Sequence, residues 1–180
     1  LHAEQSAPGR DPFCILKGLG ISPTRYRRAL APVQHRHLRV HRDALRFIQR
    51  ARRRGLELFI ATNNSQGRAL SKLARAGLAA SHGSSDFGVI FCPEITGSLK
   101  RSPSYYRALL QQLPYETDAV LMVGDHPRED GTVPRRAGIG QCLRIDRQQQ
   151  VPVIHRNGIW CVRSLDLAFT LPFFNSTQAR

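Results

Sequence analysis

From residue 40 onwards the hydrophobic positions change repeatedly between a helical and an extended period. Val40, Ala44, Leu45, Ile48 and Ala51 share one face at helical spacing with arginines opposite, predicting a helix over residues 40–54 that Gly55 ends as a left-handed cap. The run Leu56-Glu57-Leu58-Phe59-Ile60-Ala61 follows directly as a predicted strand. A second amphipathic helix is predicted over 66–76 through Leu70, Leu73 and Ala74, closed by Gly77. Residues 78–86 are rich in Ser, Gly and Ala and read as a loop, and 88–91 as a short strand. A helix opening at Pro103 carries Tyr106, Leu109, Leu110 and Leu113 until Pro114 stops it. Residues 132–137 are predicted helical with Gly138 as their cap, and 141–145 a strand. Residues 151–154 and 159–162 flank Asn157-Gly158, a strong hairpin signal, and Ser164 is placed to cap a last helix through Leu165, Leu167 and Ala168. Such alternation of helices and strands predicts a three-layer α/β, Rossmann-like fold with a mainly parallel sheet.

The chemistry gathers where predicted strands end. The unbroken apolar run Ala119-Val120-Leu121-Met122-Val123 stops abruptly at Gly124-Asp125, with Asp130 five positions later. It reads as a buried parallel strand delivering carboxylates to the carboxyl edge of the sheet, where open α/β sheets bind ligands. Two carboxylates on one short loop are hard oxygen ligands of the kind Mg²⁺ takes. A plain turn with a capping Asp has the same pattern. Thr62-Asn63-Asn64-Ser65 likewise stands at a strand end before a helix, a position suited either to an anion or to an ordinary helix cap.

Three stretches taken in order resemble motifs of the haloacid dehalogenase superfamily of phosphohydrolases. Thr62 at the end of its strand resembles the second motif, whose hydroxyl contacts the transferred phosphoryl group, with Asn63 beside it. Lys100 in Gly97-Ser98-Leu99-Lys100-Arg101-Ser102-Pro103-Ser104-Tyr105-Tyr106 resembles the third, a lysine before a Pro-x-x-aromatic helix start. Asp125 and Asp130 resemble the fourth, the acidic metal-binding motif. The resemblance implies hydrolysis of a phosphorylated small molecule with Mg²⁺ held by Asp125 and Asp130. It implies that Thr62, Asn63 and Lys100 meet the phosphoryl group, that Lys100 offsets charge at the nucleophile, and that Asp130 supports its own loop and Lys100.

The first motif of that family, an Asp-x-Asp after an apolar strand, has no match. Before Thr62 the acidic residues are Glu4, Asp11, Asp43 and Glu57, and none follows a strand-like run. Little or no phosphatase activity is therefore expected of these residues alone. A noncatalytic module that binds or regulates through the same loops is the alternative. Residues 1–12 read as a trailing segment, 13–39 as the end of an inserted helical cap, and 40–180 as the core; on that reading the missing strand belongs before residue 1.

At 180 residues and 41% hydrophobic the chain is long enough for one domain with a real core. No apolar run reaches membrane-spanning length, and Cys14, Cys92, Cys142 and Cys161 show no Cys-x-x-Cys pairing, which suits reduced thiols and a cytoplasmic location. The net charge of +14 invites a nucleic-acid partner. Its arginines are scattered rather than striped, however, so such a partner is not expected. His35, His37 and His41 have metal-like spacing, but the intervening Arg36 and Arg39 oppose a cation, and the stretch reads as a solvated linker.

Overall fold

The computed structural model describes residues 20–22, 25, 40–78 and 86–175. Most of the proposed cap segment, with Cys14, His35 and His37, lies outside them. Helix α1, Arg42–Arg53, buries Ala51, and Gly55 beyond it takes φ 72°, so the predicted stop is met. Strand β1 is only Ile60–Ala61. It pairs in parallel with β2, Ile90–Phe91, which is equally short. The predicted strand over 56–61 is thus cut to its last third, because a ladder extends only as far as its partner does. Side chains still alternate along this segment: Leu58 packs into one core and Phe59 and Ala61 into another.

Helix α2, Gln66–Arg75, buries Ala69, while Leu70, expected on the inner face, is 39% exposed. A short helix α3, Pro93–Thr96, leads towards α4, Pro103–Leu110, where Ser102 caps the first turn by accepting the Ser104 N–H. Strand β3, Leu121–Gly124, pairs in parallel with β4, Gln141–Ile145, across its whole length. Between them Pro127–Thr132 forms a wide π-turn that runs into α5, Val133–Ala137, with Gly138 at φ 110°. Strands β5, Val153–Arg156, and β6, Ile159–Val162, form the predicted hairpin, Asn157 and Gly158 both having positive φ. The second sheet has the order β3-β4-β6-β5, parallel except for β5 at its edge. The predicted last helix is a 3₁₀ turn, Leu165–Thr170, followed by α6, Pro172–Asn175.

Adjacent residues of β4 show how the layers arise. Cys142 enters the core formed with Phe91, Tyr105, Tyr106 and Leu109, whereas Leu143 enters the one formed with Ala51, Phe169 and Phe174. The two cores therefore lie on opposite faces of the sheet, as the pleat requires. This is the expected α/β layering with a mainly parallel sheet. Asp43 fastens α1 to the second face: it accepts from Arg147 at 2.6 Å, from Ser164 at 3.2 Å and from the Leu165 N–H at 3.0 Å. Cys92, Cys142 and Cys161 are free and buried. Among the described residues no helix is long and apolar enough to cross a membrane.

Candidate active site

Strand β3 carries Gly124 to the carboxyl edge of the sheet, and Asp130 folds back onto it. A Cβ at position 124 would lie 2.2 Å from Asp130 Cγ and 2.3 Å from Oδ2, so only glycine admits the carboxylate. Oδ2 accepts the backbone N–H groups of Asp125 at 3.0 Å and His126 at 2.9 Å. Oδ1, sealed from solvent, faces the Lys100 ammonium, which is its one partner among the described residues. Asp130 is 2% and Lys100 9% exposed, and burial at that depth is tolerable only because the charges compensate each other. His126 Nδ1 accepts the N–H groups of Arg128 at 3.3 Å and Glu129 at 3.1 Å, so the imidazole caps the π-turn.

Thr62 ends β1 opposite this loop. Its N–H reaches the Tyr105 hydroxyl at 2.8 Å, and that hydroxyl donates to the Phe91 carbonyl at 2.7 Å, pinning the ends of β1 and β2 together. Burial pushes the Tyr105 and Tyr106 hydroxyls well above their ordinary range, so both remain protonated donors. Thr62 Oγ1 accepts from the Asn64 N–H at 3.0 Å and from Asn64 Nδ2 at 2.9 Å. With its oxygen so occupied, the hydroxyl keeps its one proton to donate. Ser65, the residue at the N-cap of α2, makes no side-chain cap bond, so the turn before α2 is closed by Thr62 and Asn64.

Asn63 joins the three loops. Its Oδ1 accepts the Lys100 N–H at 2.8 Å and its Nδ2 donates to Glu129 Oε2 at 2.8 Å. The Tyr106 hydroxyl donates to the Glu129 carbonyl, tying α4 to the same turn. Asn63, Lys100 and Asp130 therefore form one connected cluster, with Thr62 beside Asn63 and Asp125 leading into the turn. Asp125 is exposed, and its carboxylate makes no hydrogen bond among the described residues.

The donor chemistry separates the two carboxylates expected to hold Mg²⁺. Both oxygens of Asp130 are occupied, one by backbone N–H groups and the other by an ammonium. Asp125 fits as a ligand of a hydrated Mg²⁺, which takes one or two carboxylates plus water and phosphate oxygens. Among the described residues no group of three His, Cys, Asp or Glu side chains is placed to enclose a metal. Three participants were not visible in the sequence motifs. Tyr105 and Tyr106 had a partial signal in the Pro-x-x-aromatic pattern, which does not say that their hydroxyls bridge strands and loops. Glu129 had none beyond standing next to Asp130.

A family model for haloacid dehalogenase-like hydrolases matches residues 11–138. A phosphoserine phosphatase of Thermus thermophilus is 31% identical over 114 residues, covering 63% of this chain and 43% of that protein. The chain thus spans less than half the length of this curated relative. Among solved structures, a HAD phosphatase of Thermococcus onnurineus superposes with TM-score 0.68 at 18% identity, covering 89% of this chain and 70% of that one. A magnesium-bound HAD-hydrolase of Bacillus subtilis superposes with TM-score 0.65 at 20% identity, covering 91% of this chain and 68% of that one. A model match over well more than half of the 180 residues, joined to this fold, makes the chain a member of the haloacid dehalogenase-like hydrolase family.

Proposed function

We propose that this chain belongs to a Mg²⁺-dependent phosphohydrolase acting on a phosphorylated small molecule. The observation that carries the reading is the joining of three separate loops by Asn63 and the Lys100–Asp130 pair at the strand ends of the two sheets. Such a cluster leaves the Thr62 hydroxyl proton and the Asp125 carboxylate uncommitted, one a donor for a phosphoryl oxygen and the other a ligand for a hydrated cation. Bound there, Mg²⁺ would supply charge neutralisation to the phosphoryl group. Lys100 adds fixed positive charge, and Asp130 holds it in place rather than serving the metal. Asn63 ties the β1 loop to the same cluster.

The 180 residues contain no Asp-x-Asp, the pair from which such enzymes draw nucleophile and general acid. Positioning without a nucleophile gives little turnover, since the covalent route is closed. That absence is the specific observation favouring the second reading, a noncatalytic module that binds through the same loops. Release of phosphate from an aryl phosphate, with and without Mg²⁺, distinguishes them when this chain is compared with one carrying any residues encoded upstream of Leu1. Turnover confined to the longer chain and abolished by Asp125→Asn is expected. Inactivity of a folded longer chain would favour the binding module, and Mg²⁺-dependent turnover by these 180 residues would refute their expected inactivity.

A further inference from the structure

We infer that Glu129 is the positioning residue of this site: through Asn63 it sets where the Lys100 backbone stands, and it acts as a hydrogen-bond acceptor rather than as a charge. The side-chain amide of Asn63 is asymmetric, and both ends are used. Its Oδ1 accepts from the Lys100 N–H and its Nδ2 donates to Glu129 Oε2, each at 2.8 Å. A reversed amide would set an NH₂ against an N–H and a carbonyl oxygen against a carboxylate, losing both bonds and adding repulsion. Glu129 and the Lys100 N–H together therefore fix which way Asn63 faces, and Glu129 is the side chain of the two.

Glu129 is itself held at its backbone. Its N–H is taken by His126 Nδ1 at 3.1 Å, its carbonyl by the Tyr106 hydroxyl, and the next residue is the buried Asp130. The contacts then close on themselves: Glu129 to Asn63, Asn63 to the Lys100 N–H, Lys100 Nζ to Asp130, and Asp130 back to Glu129 through one peptide bond. A ring of this kind places the ammonium from both ends of the lysine, backbone and tip. The carboxylate charge is not needed for it, because a glutamine oxygen accepts the same bond. As a negative charge on the same loop as Asp125, Glu129 works against an arriving phosphate.

The phosphohydrolase reading enters only in what Lys100 is positioned for, so the test separates the two. Amide hydrogen exchange of Lys100, followed by NMR on the full chain, reads the ring without any substrate. Glu129→Ala is expected to speed Lys100 exchange by about fivefold or more, the scale of one ordinary hydrogen bond, while the β4 amides are unchanged. Glu129→Gln is expected to restore slow exchange. Unchanged Lys100 exchange in Glu129→Ala, or equal acceleration in Glu129→Gln, would overturn the inference. A parallel titration with inorganic phosphate and Mg²⁺ judges the other reading: if no Lys100 signal moves, the phosphate site falls while the exchange data still decide the role of Glu129.

Discussion

Strands β1 and β3 both lead into loops of the candidate site, yet they are held in different ways. Residues 119–123 and 56–61 are both apolar-rich runs, but β3 pairs with β4 over four residue pairs, whereas β1 pairs with β2 over two. Position on the β3 side is set by ladder and core. On the β1 side it is set by side chains: Tyr105 pins the strand end, and Asn63 reaches across to the loops of Lys100 and Glu129. A ladder belongs to a pair of strands, and where the pair is short the hydrogen bonds of the loops take over the positioning.

The comparison breaks most severely at Gly124. A methyl group there must displace the Asp130 carboxylate, and with it the ion pair to Lys100 and two backbone hydrogen bonds. Gly124→Ala is expected to cost about 4 kcal/mol, the range for breaking a buried pair, seen as a lower urea midpoint. Next in size is a paired test of the two sheets. Leu143 on β4 is fully buried, so Leu143→Ala should cost about 3 kcal/mol, while Ile60→Ala on the less buried β1 should cost about 1 kcal/mol. Equal losses in the two variants would mean that β1 is anchored as firmly as β4.

The third prediction concerns the fastening of α1 to the four-stranded side. Burial raises the Asp43 carboxyl, but the hydrogen bonds from Arg147, Leu165 and Ser164 and the Arg147 charge outweigh it and hold the group at about 2, against 3.8 for a free carboxyl. A depressed folded-state pKa means stability that is present above about pH 4 and lost as pH falls towards 2. The shift corresponds to about 2 kcal/mol at neutral pH. Asp43→Asn should lose roughly that much at pH 7 and show a flatter stability profile between pH 4 and 2, measured by denaturant unfolding at each pH. An unaltered acid limb in the variant would place the acid sensitivity elsewhere.

Much of this was legible in the residues because the signals were local. Gly55 and Gly138 end their helices at positive φ, Asn157-Gly158 makes its hairpin, and the run into Gly124-Asp125 is a strand at the sheet edge. Leu70 misled because helical spacing alone cannot tell which of several apolar positions faces the core; Ala69 does. The strand over 56–61 was overextended because its length depends on a partner far away in sequence. In the site, the resemblance singled out Thr62, Asn63, Lys100, Asp125 and Asp130, of which Asn63, Lys100 and Asp130 are joined directly. The resemblance already gave Asp130 a supporting role for Lys100; what it did not separate was that role from a share in the metal, since Asp125 and Asp130 are simply aspartates until their hydrogen bonds are seen. Glu129 was hidden for the same reason, its role depending on an amide 66 residues earlier.

On the proposed function, the cluster around Asn63, Lys100 and Asp125 receives a phosphoryl group together with Mg²⁺. The most direct test is a ¹⁵N–¹H NMR titration of the chain with inorganic phosphate at fixed Mg²⁺, repeated on Asp125→Asn. Saturable shifts are expected at Thr62, Asn63, Lys100 and Asp125, weakened at least about tenfold in the variant, since even a partner that only orients a metal ligand is worth that much. Shifts confined to the arginines at the end of α1, with Lys100 and Asp125 unmoved, would contradict the proposed function.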